Sequence, residues 1–245
     1  VMPPALGGVY PVLPVLFTGD GQIDAPALEA VVDRLAAAGG DGVVFPGLAS
    51  DYDHLTLEER LALIARVGAG GGSDAESLAL AQAGAEAGAV AAMIMTPHRL
   101  GTDVQALVRF YALIRDESGL APLIQNAPAP MGLGLGVEAI AAVAQGLGGV
   151  VYIKEETQPC GQRISQILAE APGVAGVFGG AGGRYIVDEL TRGAVGTMPA
   201  CELAEAHVAL LRAHAAGDDA LARTLYERML PILMMQAIFR WRLTK

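Results

Sequence analysis

The sequence predicts an α/β protein, a (β/α)8 barrel of the TIM type with a C-terminal helical extension, and three observations carry that prediction. Short β-branched runs alternate with Ala-rich helical patterns, and a glycine usually precedes the next run, as parallel strands with crossover helices require. The chain has 245 residues, 53% of them apolar, enough for one large core. No Gly-x-Gly-x-x-Gly turn follows the first run, which counts against an open doubly wound sheet.

The strand candidates, in order, are Val9 to Leu16, Asp41 to Pro46, Val90 to Met95, Pro122 to Gln125, Val150 to Lys154, Val174 to Phe178 and Ala194 to Met198. Between them, Thr56 with Glu59, Ser73 with Glu76 and Thr102 with Gln105 have the spacing of capping boxes and mark helix starts. Two more helical patterns, Glu202 to Ala215 and Asp218 to Phe239, follow the last strand. The expected division is therefore a barrel over 1–200 and C-terminal helices over 201–245.

Eight parallel strands close such a barrel, and the third is the one without a run of its own. Between the helix ending near Arg66 and the box at Ser73 lie only Val67 to Gly72, too few for a loop, a strand and another loop. Either the third strand is stunted or a segment is missing near 67–73, and the spacing favours the second. The end at Arg240 to Lys245 carries no helix stop, so the tail is also expected to be incomplete.

Sixteen basic and 26 acidic residues give a net charge of -10, with no basic stripe to neutralise a phosphate backbone, so nucleic acid is excluded as a partner. Apolar runs such as Val90 to Met95 are too short to span a bilayer, and the start at Val1 lacks a signal-type core. The expectation is a cytoplasmic protein without a membrane partner. Cys160 and Cys201 form neither a metal-ligand spacing nor a disulfide framework, and no metal is expected.

Lys154 is the residue most suggestive of chemistry. It closes the run Val150 to Ile153, and period-2 alternation puts it on one face with Val150 and Tyr152, while Glu155 joins Val151 and Ile153 on the other. Desolvation disfavours an ammonium and so favours an amine nucleophilic toward carbonyl carbon. Read in isolation, a strand-end lysine snorkelling into solvent fits equally well.

In such a barrel the site lies at the carboxyl ends of the strands. Those ends are Gly47-Leu48-Ala49-Ser50-Asp51, Thr96-Pro97-His98, Gln125-Asn126-Ala127-Pro128, Lys154-Glu155-Glu156, the glycine-rich Gly179 to Gly183, and Pro199. Together with Asp20 to Asp24, Gly39 to Gly42, Leu55-Thr56, Glu59-Arg60, Gly132 and Gly193 to Gly196, their order and spacing resemble the dihydrodipicolinate synthase / N-acetylneuraminate lyase family. The resemblance runs nearly end to end. It implies a barrel whose sixth-strand lysine, here Lys154, forms a Schiff base with a 2-oxo acid.

The departures narrow the reading. Leu48 and Ala49 stand where the family carries two threonines, leaving Ser50 as the only hydroxyl. Gln125 replaces the proton-relay tyrosine, and an amide cannot serve as that acid-base group. Pro130 replaces the arginine that binds the aldehyde's carboxylate, which argues against lysine biosynthesis. The pattern is closer to the branch that dehydrates 2-keto-3-deoxy sugar acids.

The resemblance thus implies a cofactor-free lyase acting on a small 2-oxo acid, by dehydration or by aldol cleavage or condensation with pyruvate, in a homodimer or homotetramer. Its expected catalytic residues are Lys154, Gln125 and Ser50; its substrate-binding residues are Gly47, Ala49, Asn126, Gly179, Gly180 and Pro199. Asp51, Glu155 and Glu156 are the acid-base candidates. Arg184 adds positive charge near the glycine loop or only solvates the rim, and His98 reads as a surface residue. Two alternatives stay open: a phosphate-binding isomerase or synthase using the glycine loop, and a barrel that has lost catalysis and acts by binding or regulation.

Overall fold

The computed structural model describes residues 5–50, 54–64 and 73–244. The expected gap over Val67 to Gly72 lies outside those residues, as does Asp51. Among the described residues six strands form one parallel sheet: β1 (Gly8–Val9), β2 (Ala91–Met95), β3 (Ala121–Asn126), β4 (Val151–Glu155), β5 (Val174–Gly179) and β6 (Gly196–Thr197), in the order β1-β6-β5-β4-β3-β2. β3 and β4 are buried along their whole length, as strands covered on both faces must be.

The outward faces pack Ile124, Val151, Ile153 and Val177 against helices α4 (Val104–Ser118), α5 (Val137–Leu147) and α6 (Cys160–Glu170), whose Phe110, Ile140 and Ile164 belong to the same core. The inward faces bring Val12, Met93, Leu123, Tyr152, Phe178 and Met198 into a second cluster. That cluster fills the barrel interior beneath Lys154, with Tyr152 in the layer expected of it.

The first and second strands are shorter than the sequence suggests. The run from Val9 to Leu16 keeps its ladder only over β1, with a further parallel bridge from Val12 to both Val44 and Ala200. Pro11 and Pro14 lack the N–H groups a continuous ladder needs. The run from Asp41 to Pro46 is reduced to the bridge at Val44. Curvature is still carried around this side, because Val12 N–H donates to the Pro199 carbonyl at 2.7 Å and Leu13 N–H to the Val44 carbonyl at 3.0 Å.

Helix starts follow local chemistry. The box at Ser73 opens α3 (Asp74–Glu86), and Thr56 and Glu59 exchange hydrogen bonds of 2.8 and 3.1 Å at the start of α2 (Leu57–Ile64). The third expected box does not form. Asp103 caps α4 instead, accepting the Ala106 N–H at 3.1 Å, because a carboxylate directly before the helix outcompetes the hydroxyl one residue earlier. α1 (Ala25–Ala37) is capped in the same way by Asp24.

After β5, α7 (Ile186–Thr191) packs with α8 (Ala204–Ala215) and α9 (Asp219–Phe239) through Ile186, Leu190, Leu210 and Leu233. α9 and the short α10 (Trp241–Thr244) bring the end of the chain back to the carboxyl ends of the strands. No described helix is long and apolar enough to cross a membrane.

Candidate active site

The pleat of β4 builds the site. Lys154 follows Tyr152 on the inward face, Glu155 turns outward, and Glu156, just past the strand, turns inward again. The Lys154 Nζ lies 3.5 Å from Glu156 Oε1, with side-chain exposures of 5% and 12%. Gln125 pairs in register with Lys154 and donates its amide to Glu156 Oε2 at 2.8 Å. The Ala181 N–H donates to Oε1 at 3.0 Å.

Burial pushes the Glu156 carboxyl upward, but the Lys154 ammonium, the Ala181 N–H and the Gln125 amide together hold it below the usual range. Glu156 is therefore held as a carboxylate. Its seat depends on Gly180, where a Cβ would stand 2.5 Å from Oε1.

Lys154 and Glu156 line a cavity of ≈ 210 Å³ at the carboxyl end of the barrel. Val12 and Met198 lie on its strand side, Leu48, Ala49 and Pro199 on its loop side. Ala181, Gly182 and Arg184 come from the loop after β5, and Gln236, Arg240 and Thr244 from the end of the chain. Glu156 is the one carboxyl group lining the cavity among the described residues. Glu202 ties the end of the chain down, accepting from the Gln236 amide and, at 3.1 Å, from the Thr244 hydroxyl.

Of the residues singled out from sequence, the structure brings Lys154, Glu156, Ala49 and Pro199 to the cavity, with Gln125 behind Glu156. Arg184 lines it too, Asp51 lies outside the described residues, and the remaining ones are placed differently. Ser50 is fully buried; its hydroxyl donates to the Leu13 carbonyl and accepts the Gly47 N–H at 3.0 Å, so both its capacities are used in holding the turn. Gly47 lets that turn pack on Val12, 2.7 Å from where a Cβ would stand.

Glu155 is a correction to the acid-base candidates. Its fully buried carboxylate lies behind the barrel wall, accepting from Asn126 Nδ2 at 2.9 Å and the Thr157 N–H at 2.7 Å, with Arg163 at 3.3 Å. Burial raises its pKa, and the Asn126, Arg163 and Thr157 contacts offset that only in part. Asn126 faces the same way and also accepts the Leu135 N–H at 2.8 Å. His98 is exposed, with Nε2 3.2 Å from the Met131 carbonyl.

The glycine loop makes room for side chains of the protein itself. A Cβ on Gly179 would run into Glu189, on Gly182 into Gln236 and on Gly183 into His207. Glu189 carries no signal in the sequence, where nothing separates it from any other helical glutamate. Its Oε1 accepts from the Cys160 thiol at 3.2 Å, while Oε2 and the nearby Thr197 hydroxyl are buried without a partner. Burial pushes the Glu189 carboxyl up to about 7; Cys160 and Arg184 oppose that shift, and the Glu156 and Asp188 charges add to it. Among the described residues no cluster of His, Cys, Asp and Glu side chains is arranged to hold a metal.

Known proteins resemble the chain in sequence and in fold. A stretch of 161 residues is 30% identical to the putative 2-dehydro-3-deoxy-D-gluconate aldolase YagE of Escherichia coli, covering 60% of this chain and 53% of that protein. A second match, over 93% of this chain and 82% of the relative, is 25% identical to the 4-hydroxy-tetrahydrodipicolinate synthase of Bacillus subtilis. The chain thus spans about half the length of YagE and of the Methanothermobacter thermautotrophicus synthase, 53% in each case.

Among solved structures, the dihydrodipicolinate synthase of Rhodopseudomonas palustris superposes with a TM-score of 0.86 at 22% identity, over 96% of this chain and 84% of that one. YagE in complex with pyruvate gives 0.82 at 24% identity, over 95% and 83%. These likenesses establish the barrel architecture. The model of the dihydrodipicolinate synthetase family matches residues 5–240, and the chain belongs to that family.

Proposed function

We propose that this protein is a lyase that binds a small 2-oxo acid as a Schiff base on Lys154. The observation that carries the reading is the pairing of a buried strand-end lysine with a buried carboxylate in one cavity, 3.5 Å apart. The amine attacks the C2 carbonyl, and loss of water from the carbinolamine leaves an iminium. Glu156 accepts the proton that the lysine must lose and returns one to the departing hydroxyl. The covalent lysine supplies the electron sink, so the chemistry calls for no metal or organic cofactor.

The iminium acidifies C3. Removal of a C3 proton gives an enamine, which expels the C4 hydroxyl as water once that oxygen is protonated; cleavage of C3–C4 instead releases an aldehyde. In this reading Glu156 serves either route, and Gln125, which donates to it, orients it without exchanging protons. Leu48 and Ala49 offer the substrate only main chain and apolar side chains, and the Ser50 N–H is donated to the Gly47 carbonyl, so the C1 carboxylate is met by the Leu48 and Ala49 N–H groups rather than by hydroxyls.

The name of YagE and its complex with pyruvate support a 2-keto-3-deoxy acid or pyruvate as substrate. A homodimer or homotetramer is proposed with it, supported by exposed Met234, Met235, Ile238 and Phe239 along α9.

Borohydride reduction in the presence of pyruvate or a 2-keto-3-deoxy acid, followed by mass mapping, tests the reading. A stable adduct on Lys154, absent from Lys154→Ala, is expected. Absence of any adduct from folded protein across a panel of 2-oxo acids refutes it.

A further inference from the structure

We propose that Arg184 receives a second anionic group of the substrate, so that the preferred ligand is a 2-oxo acid with a carboxylate or phosphate at its far end. The inference rests on the Schiff-base reading of Lys154. It starts from the charges on the cavity wall. Lys154 and Glu156 compensate each other, whereas Arg184 lines the same cavity with no hydrogen bond or ion pair to its guanidinium among the described residues.

The neighbouring acids do not pair with it. Glu189 feels the Arg184 charge, but its carboxylate sits against Gly179 on the outer side of β5 and bonds Cys160. Glu202, near the end of the chain, is taken by Gln236 and Thr244. Arg240 lines the cavity as well.

A guanidinium stays ionised and presents five N–H donors in a planar fork that matches carboxylate and phosphate oxygens. Half-buried at the cavity wall with no protein partner to its guanidinium among the described residues, Arg184 has donors free to receive an anionic ligand. Its main chain is held in place, because the Arg184 carbonyl accepts the Tyr226 hydroxyl from α9. Position along the fold orients the ligand. Lys154 sits on the last-but-one residue of β4, and Arg184 lies on the loop beyond β5, so C2 is fixed at the strand ends while the far end of the substrate reaches the loop.

The test compares borohydride trapping of 2-oxoglutarate and 2-oxoadipate with that of 2-oxopentanoate and 2-oxohexanoate, which match them in length but lack the second carboxylate. The expected result is half-maximal trapping at a concentration at least tenfold lower for the dicarboxylic acids. In Arg184→Met that ratio, which divides out any general loss of reactivity, falls to about one; Arg184→Gln serves if the Met variant does not fold, and Arg184→Lys restores part of the ratio. 2-Oxo-4-phosphonobutanoate in place of 2-oxoglutarate separates the sources, since stronger trapping by the phosphonate assigns phosphate and weaker trapping assigns carboxylate.

A ratio near one in the unmodified protein, or one that survives Arg184→Met, overturns the inference. Pyruvate, which has no second anion, is trapped in either case if Lys154 forms a Schiff base. Failure with pyruvate therefore removes the Schiff-base reading, and this inference with it, whereas failure of the ratio alone removes only the role of Arg184.

Discussion

Replacing Glu189 by Gln should change how the stability of the barrel depends on pH, by an amount that follows from its burial. In the folded chain this carboxyl titrates at about 7 instead of 4.5, mainly because it is buried. The folded state therefore holds a proton that the unfolded state releases between those values, and stability falls as pH rises through that window. Below 4.5 the group costs nothing; above 7 the cost is full, roughly 3 kcal/mol at about 1.4 kcal/mol for each tenfold difference in proton affinity. Glu189→Gln removes the titration. Urea unfolding of the protein and the variant at pH 5.5 and 8.5 should show the stability difference shifting by about 2 kcal/mol in favour of the variant at the higher pH. Parallel pH dependences would refute the reasoning, showing that the carboxyl is hydrated or paired in solution. Because the Glu156 charge contributes to raising Glu189, Glu156→Gln should narrow the window from its upper end without abolishing it.

Asn126→Ala should cost about 3 kcal/mol, because it strips a hydrogen-bond donor from the buried Glu155 carboxylate and partners from both polar groups of the Leu135 main chain. Urea denaturation reads the loss, and unchanged stability would contradict the placement of that amide behind the wall. Ser50→Ala should cost about 1–3 kcal/mol by leaving the Gly47 N–H and the Leu13 carbonyl short of a partner, while pyruvate trapping slows less than tenfold. Lost trapping at unchanged stability would instead mean that the hydroxyl meets the substrate.

The sequence was most informative where a strand period decides the outcome. Alternation along β4 placed Lys154 and Tyr152 inside, and the same alternation separates Glu155 from Glu156, although both had been grouped as acid-base candidates. Strand ends marked the loops of the site, including Ala49 and Pro199. Directions of side chains in turns were not legible. Ser50 occupies the expected turn, but its hydroxyl points back to the first strand, because a buried turn must satisfy its own main chain before it can serve a ligand. Contributions from the end of the chain were hidden for another reason. Gln236 and Thr244 reach the cavity through contacts far apart in sequence, which leave no local pattern to read. The first strand is shorter than its apolar composition suggests because Pro11 and Pro14 lack donors for a continuous ladder.

The loop from Gly179 to Gly183 also constrains the order in which this protein can change. At four of its positions a different element occupies the space of a side chain: Glu189 of α7 at Gly179, Glu156 at Gly180, Gln236 of α9 at Gly182 and His207 of α8 at Gly183. An alanine at Gly179 forces the Glu189 carboxylate to move, and one at Gly180 forces the Glu156 carboxylate out of its seat. Each loop substitution is therefore coupled to the side chain it displaces, and shortening that occupant first removes the displacement. Gly182 and Gly183 carry an added bar, since their φ values of +71° and +81° strain any other residue even once the space is free.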